Sequence, residues 1–150
     1  MTQRLDYDAA TPAGVKALER VYGHILQSGL PKPLVDLVFL RVSQINGCSY
    51  CIDMHSRDLL KEGMTVDKLV LIPVWREVGA LFDDTERAAL AWAETVTRVA
   101  ETNVPDAEFQ AASAVFQDKQ LADLTIAIGL INAYNRLAIS FRHLPETARP

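Results

Sequence analysis

Two cysteines and a histidine lie close together near the middle of the chain. Cys48 and Cys51 are three residues apart, and His55 follows Cys51 by four residues. On a helix, residues at these spacings share one face. Gly47 lets the backbone turn sharply into such a helix, so both sulfurs lie near the free amide groups and positive end of the helix dipole. This position favours the thiolate form of a cysteine.

A thiolate is the form of cysteine that attacks a peroxide or a disulfide, and an ordinary thiol with a pKa of about 8.5 is only slightly ionised at neutral pH. His55 is one helical turn from Cys51 and can act on that sulfur as a base or as an imidazolium partner. We therefore predict that Cys51 is the nucleophile and that Cys48 is the resolving thiol. The motif predicts a redox dithiol.

A third group, Asp36, lies twelve residues before Cys48. An antiparallel pair of helices can bring this carboxylate back toward His55, where it would complete a proton relay. Most aspartates are solvent-exposed, however, and the residues alone favour exposure for Asp36.

Three other interpretations of the motif are weaker. Two buried structural cysteines have no need of this spacing. A structural zinc site takes four protein ligands, whereas the motif supplies three, so a metal-binding scaffold remains only an alternative. Covalent haem attachment requires His directly after the second cysteine, where this chain has Ile52. We predict no metal and no cofactor.

The surrounding pattern predicts an all-α protein. Apolar residues recur at helical spacing in several segments. Two of them follow Pro12 and Pro33, and the others run from Cys48 or Ser49 to Glu62, from Val66 to Val78 with an interruption at Pro73, from Asp83 to Ala100, and from Gln120 to His143. A further helix is expected after Pro105, with Phe109, Ala112 and Phe116 facing inward. No segment shows the strict alternation of a strand. Trp75 and Trp92 are expected in the core, and His24 and His143 at the surface or at helix ends.

Composition limits the class of protein. The chain has 150 residues, of which 49% are hydrophobic, and a net charge of −4. We predict one domain over residues 1–150, with an ordered core of about 11–145 and a short mobile tail at each end. The acidic balance argues against a nucleic-acid partner. We find no apolar run long enough for a membrane helix and no secretion signal, which predicts a cytoplasmic protein without a membrane partner.

The segment from Ser43 to Asp58, SQINGCSYCIDMHSRD, resembles the signature of the AhpD-like alkylhydroperoxidases within the carboxymuconolactone decarboxylase family. The later segments DDTERAALAWAE and LINAYNRLAISFRH are similar to that family as well. The resemblance implies an AhpD-like helical bundle that assembles into dimers, trimers or hexamers. It also implies a CxxC pair that reduces hydroperoxides and is recycled by a dithiol reductant, either thioredoxin-like or a lipoyl carrier.

The resemblance also implies roles for individual residues. Cys48, Cys51 and His55 match the functional positions of the family. Asp36 stands where the family commonly has Glu, and its side chain is one methylene shorter. Tyr50 replaces a second relay imidazole found in some members. The decarboxylase branch processes a lactone without this cysteine pair, so the intact CxxC argues against that activity.

The leading prediction is thus a thiol peroxidase with Cys48, Cys51, His55 and Asp36 as its catalytic residues. A general dithiol-disulfide oxidoreductase or redox sensor of the same fold is the alternative enzyme, and a lactone decarboxylase-like protein is a further alternative. An oligomeric metal-binding scaffold is the non-enzymatic one. The apolar content of Leu121 to Ile139 favours a homo-oligomer. The polar residues Asn132, Asn135 and Arg136 are expected to bond at a subunit contact.

Overall fold

The computed structural model describes residues 2–148, and that part of the chain contains helices and turns but no strand. The all-α prediction is confirmed. The α-helices are α1 Tyr7–Ala10, α2 Pro12–Gln27, α3 Lys32–Asn46, α4 Ser49–Lys61, α5 Val66–Leu71, α6 Asp84–Thr97, α7 Val99–Thr102, α8 Asp106–Ser113 and α9 Asp118–Phe141.

Helix α3 lies at the centre of the molecule and contacts α4, α6 and α9. Its middle is buried on every side, from Leu34 through Leu40. The sequence predicts one apolar side for this helix, and that prediction is too narrow. Three neighbouring helices enclose α3, so residues on each of its faces meet another helix. Asp36 lies within this enclosed stretch.

The turn between α3 and α4 places the cysteines. Gly47 adopts a left-handed conformation with φ of 72° and ends α3, while the Cys48 amide donates to the Ser43 carbonyl at 3.0 Å. Cys48 is then the N-cap of α4, and its sulfur accepts a hydrogen bond from the Cys51 amide at 3.4 Å. The predicted start of this helix at Cys48 or Ser49 is confirmed.

The predictions for the later helices are confirmed in part. Asp83 forms a capping box with Glu86 and starts α6, which ends at Thr97 rather than at Ala100. The chain changes from α-helix to a 3₁₀ turn over Ile72–Glu77, as Pro73 predicts. Phe109 is half-exposed, which corrects its expected inward position. Helix α8 is too short to bury this ring, which instead meets the edge of the core beside Trp92.

Helix α9 is long and apolar enough to cross a membrane by length and composition. This corrects the statement that no segment of the sequence qualifies. The same helix contacts α2, α3 and α6, and it carries the buried polar residues Asp123 and Asn135. These contacts account for the buried apolar residues of α9, whereas Ile126 and Ile139 remain exposed.

Residues 4–10 are folded and contact the end of α9, in contrast to the predicted mobile tail. Asp6 caps α1, and the Arg4 amide donates to the Phe141 carbonyl at 2.9 Å. Tyr7 is buried and its ring lies 6.0 Å from that of Phe141. Burial of one aromatic ring and pairing with the end of α9 hold this segment in place. Arg149 and Pro150, in the expected C-terminal tail, lie outside the described residues.

The left-handed turn at Gly47 yields a stability prediction. An alanine Cβ at this position would meet no heavy atom within 4 Å, so the cost of Gly47→Ala is conformational only. We expect the free energy of unfolding in urea to fall by about 1–2 kcal/mol. Gly23→Ala is the matched control, because Gly23 lies within α2 with equally open surroundings, and should raise stability by about 0.5–1 kcal/mol. Equal effects of the two variants would contradict this account of the turn.

Candidate active site

The cysteine pair lies in the core between α4 and α9. Cys48 and Cys51 are free thiols that are 1% and 2% exposed. Ala138 of α9 and the ring of Tyr50 pack against them. The first turn of α4 therefore holds both sulfurs away from bulk water, and each can be reached only through a cavity.

The two thiols differ in acidity. The pKa of Cys48 lies below its ordinary value, because the Cys51 thiol and the Cys51 amide both donate to the Cys48 sulfur despite the opposing effect of burial. The pKa of Cys51 is raised, first because its thiol hydrogen bond is made to Cys48, then by burial and by the charge on Cys48. Cys48 is therefore the more acidic thiol of the pair, and Cys51, the predicted nucleophile, is the less acidic one.

A buried group of polar side chains lies under the sulfurs. Asn135 is 0% exposed, and its amide nitrogen donates to the Ser43 hydroxyl at 3.0 Å. The Asn46 amide donates to the Asn135 oxygen at 2.9 Å, which fixes the orientation of the Asn135 side chain. Interactions with Asn135 lower the pKa of both cysteines. The expectation that Asn135 bonds at a subunit contact is wrong, because its partners lie inside this chain.

His55 lies on the same face of α4 as Cys51 and is 4% exposed. Its ring packs edge-on against Phe39, with ring centroids 5.2 Å apart. Nδ1 lies 3.7 Å from the Asp36 carboxylate, which is an ion-pair distance and longer than a direct hydrogen bond. Among the described residues, neither Nδ1 nor Nε2 has a hydrogen-bond partner, and both atoms are buried.

Asp36 is buried next to His55, so the exposure favoured by the residues alone does not occur. Its side chain is 1% exposed and accepts a hydrogen bond from the Lys32 ammonium at 2.5 Å. Lys32 also pairs with Glu62 at the surface. Burial acts to raise the pKa of Asp36, but the contacts with His55 and Lys32 outweigh it and hold the pKa below its usual range. Asp36 is thus a carboxylate in the core, and the motif gives no sign of its partner Lys32.

A cavity of about 400 Å³ opens beside this group, and both Cys51 and His55 lie in its wall. Its lining is aromatic and apolar with an acidic portion. All four tyrosines of the chain contribute to the wall, namely Tyr7, Tyr22, Tyr50 and Tyr134. Three carboxylates, Asp8, Glu19 and Asp58, complete it. We call this space the Cys51 cavity.

A second cavity of about 420 Å³ adjoins the other sulfur, and Cys48 lies in its wall. We call it the Cys48 cavity. Tyr50 and His143 line both spaces, and their rings, with centroids 4.2 Å apart, stand between the two. His143 lies just beyond α9, at the end of the family-like segment LINAYNRLAISFRH, where the sequence alone predicts a surface or helix-end position and not a site residue. His24, by contrast, is at the surface as expected and bonds Asp123.

The remaining candidates have structural positions. No group of three or more His, Cys, Asp or Glu suited to a metal ion exists among residues 2–148, so the zinc alternative lacks a ligand set. Trp75 and Trp92 are buried in the core as predicted. The Trp75 indole donates to Glu94 at 3.0 Å, and Arg41 and Arg76 pair with the same carboxylate.

The buried carboxylate of Asp36 yields a prediction about pH. Its lowered pKa means that ionised Asp36 contributes stability above the pKa of an ordinary Asp, and that this contribution is lost as the pH falls through the lowered value. We expect Asp36→Asn to reduce the free energy of unfolding by about 1–3 kcal/mol at pH 7 and by much less at pH 2–3. Urea unfolding at both pH values measures this difference.

Asp53→Asn is the matched control for this prediction. Asp53 lies on α4 and pairs with the exposed side chain of Arg57, so its removal should cost less than about 0.5 kcal/mol. A loss for Asp36→Asn that stays the same at acidic and neutral pH would contradict an ionised Asp36 in the core.

The sequence matches known proteins over most of its length. The model of the carboxymuconolactone decarboxylase family matches residues 12–95, from α2 into α6. An uncharacterised protein of Bacillus subtilis, YdfG, is 33% identical over 140 residues, which cover 93% of this chain and 95% of that protein.

Two solved structures are similar to this one. A protein of unknown function from Agrobacterium tumefaciens, ATU0492, whose description points to the antioxidant defence protein AhpD, is 38% identical with a TM-score of 0.92, covering 96% of this chain and 98% of that one. The alkylhydroperoxidase AhpD core of a peroxidase-related protein from Ralstonia eutropha has a TM-score of 0.80 at 22% identity, covering 93% and 74% of the two chains, and shares the fold. The chain belongs to the carboxymuconolactone decarboxylase family and has its AhpD-like all-helical fold.

Proposed function

We propose that the protein is a thiol peroxidase that reduces organic hydroperoxides with the Cys48 and Cys51 pair. The observation that supports this most strongly is the wall of the Cys51 cavity, which Cys51 and His55 line together. A hydroperoxide needs both groups, because its oxygen is attacked by sulfur and its departing oxygen needs a proton.

The first step is attack by Cys51. The proton of the Cys51 thiol passes to the Cys48 thiolate along the hydrogen bond that joins them. The Cys51 thiolate then attacks the terminal oxygen of the hydroperoxide, the O–O bond breaks, and Cys51 becomes a sulfenic acid. The alkoxide that leaves takes one proton and departs as an alcohol. His55 supplies or relays this proton.

The second step closes the disulfide. The Cys48 sulfur, again as thiolate, attacks the Cys51 sulfenic acid, the S–OH bond breaks, and the hydroxide takes a proton to become water. The pair has lost two electrons, and the hydroperoxide has become an alcohol and water. An external dithiol restores the two thiols, and the family resemblance suggests a thioredoxin-like protein or a lipoyl carrier in the cytoplasm.

Asp36 acts through His55 as a positioning residue. Its carboxylate faces Nδ1 of the ring and so orients the imidazole in the wall of the Cys51 cavity. The 3.7 Å separation leaves the carboxylate oriented toward the ring without a direct hydrogen bond. We expect the loss of Asp36 to matter less for the oxidation rate than the loss of His55.

The burial of Cys51 favours a hydroperoxide over a protein disulfide as the oxidant. The sulfur is 2% exposed and is approached through a cavity of about 400 Å³, which admits a small molecule but not the surface of another protein. Stopped-flow measurement of the oxidation of the reduced protein by hydrogen peroxide, cumene hydroperoxide and small disulfides tests whether hydroperoxides are the faster oxidants. Faster oxidation by disulfides than by any hydroperoxide would favour the dithiol-disulfide oxidoreductase instead.

Substitutions at the pair and at His55 test the roles of the residues. Cys51→Ser should abolish the first oxidation step, and Cys48→Ser should leave a sulfenic acid on Cys51 that dimedone traps. His55→Ala should slow the first step by roughly 10²–10⁴-fold, which is the usual range for loss of a positioned acid or base. His24→Ala is the control, because this histidine is exposed and lines neither cavity. Sulfenic acid on Cys48 in the Cys51→Ser variant would reverse the assignment.

We also propose that the protein forms a homo-oligomer. Apolar side chains of α5 and the following turn are exposed, namely Val66, Val70 and Val74, and Phe109 and Ile126 form a second exposed group. Such patches mark protein contacts more often than free surface. Light scattering at micromolar concentration should give a mass at least twice the 16.6 kDa of the chain. A monomer would contradict this proposal and leave the peroxidase proposal intact.

A further inference from the structure

The two sulfurs open on cavities of opposite charge. The Cys51 cavity is lined by Asp8, Glu19 and Asp58, and no Lys or Arg of the described chain lies in its wall. The Cys48 cavity is lined by Arg4 and Arg142, and no Asp or Glu of residues 2–148 lies in its wall. Tyr50 and His143 stand between the two spaces. A molecule in the Cys51 cavity therefore contacts the Cys51 sulfur and negative side chains, whereas a molecule in the Cys48 cavity contacts the Cys48 sulfur and positive side chains.

The arginines of the Cys48 cavity are held there by the backbone. Arg4 donates from its guanidinium to the Ser140 carbonyl at 3.2 Å and from its amide to the Phe141 carbonyl. Arg142 follows α9 in a left-handed conformation, with φ of 55°. Gly is the least strained residue at such a position, whereas Arg adopts it with backbone strain and brings a positive charge to the cavity wall.

We propose that the Cys48 cavity binds the reductant, and that this reductant is a small thiol with a negative charge close to its sulfur, in place of the protein or lipoyl dithiol that the family resemblance suggests. The inference deepens the proposed function, since it concerns the step that restores the same cysteine pair. A thiolate is itself an anion, and the acidic wall of the Cys51 cavity repels it. The hydroperoxide and the reductant therefore reach the pair from different sides.

The reaction begins with attack on the Cys48 sulfur. The incoming thiolate forms a bond to Cys48, the bond between Cys48 and Cys51 breaks, and Cys51 leaves as a thiolate. A second thiolate attacks the sulfur of the bound reductant, the mixed disulfide breaks, and Cys48 leaves in turn. Two thiols have become one disulfide and have given two electrons and two protons to the pair.

Cys51 is an adequate leaving group in this state. In the reduced pair its pKa is raised above all by the Cys48 sulfur, through a hydrogen bond and through charge. Both effects are absent when the Cys48 sulfur is bonded to the reductant and uncharged. The contacts with Asn135 and Ser43, which lower the pKa of Cys51, remain available.

The test compares two thiols that differ in one charge. The disulfide is prepared with diamide, so the experiment does not depend on oxidation by a hydroperoxide. Reduction by 3-mercaptopropionate and by the neutral 3-mercaptopropionamide is then followed by quenching samples in acid, blocking the free cysteines with a maleimide and measuring the protein mass, with rates expressed per thiolate. We expect the carboxylate to react roughly fivefold faster or more at low ionic strength, and the ratio to approach one in about 0.5 M salt.

Variants locate the effect. Arg142→Gln and Arg4→Gln should each lower the ratio of the two rates, and the double variant should bring it close to one. The ratio of the two rates also controls for damage to the fold, because a damaged site slows reduction by both thiols equally. Arg98→Gln removes an equal charge from an exposed position outside the cavity and should keep the parent ratio.

Three results would overturn the inference: a parent ratio of one or less, a ratio that survives in the double variant, or a mixed disulfide on Cys51. The last is read by quenching the reaction in acid, blocking the free cysteine with a maleimide and mapping the peptides by mass spectrometry. Failure of hydroperoxides to oxidise the pair would overturn the peroxidase proposal while leaving this rate ratio measurable. A pair that diamide cannot close would overturn both.

Discussion

The site depends on one short turn, in which α3 ends and α4 begins within two residues. Gly47 accepts the left-handed conformation that this reversal requires, and Cys48 then replaces the usual oxygen cap with a sulfur. The Cys51 amide that α4 leaves unpaired donates to that sulfur at 3.4 Å. One hydrogen bond thus starts the helix and lowers the pKa of Cys48. It also brings the two cysteines together in the first turn.

The turn places polar groups in an apolar core, and the neighbouring helices satisfy most of them. Asn135 of α9 bonds Ser43 and Asn46 of α3 beneath the sulfurs, and Lys32 pairs with Asp36 on the other side of His55. Burying these groups without partners would cost several kcal/mol. The nitrogens of His55 are the exception, since neither has a hydrogen-bond partner among the described residues. A buried imidazole in this state suits a site that completes its bonding with a bound molecule.

The pair also divides the interior into two compartments. One contains tyrosines and carboxylates beside Cys51, and the other contains arginines beside Cys48. A peroxidase cycle uses two molecules of different chemistry in sequence, an uncharged oxidant and a thiolate reductant. Separate cavities let each cysteine face one of them. The 38% identity to ATU0492, together with a TM-score of 0.92, offers a solved structure in which the same division can be examined.

The sequence by itself determined the features that depend on near neighbours. The helical periods, the caps at Cys48 and Asp83, the interruption at Pro73 and the shared face of Cys51 and His55 all follow from contacts within a few residues. Only the tertiary structure decided which distant groups meet. Asn135 bonds a serine 92 positions away, and His143 reaches the wall between the cavities from beyond the last helix. Such contacts depend on how α9 packs across α3 and α4, and the local pattern of a helix fixes its faces but not the neighbour that each face meets.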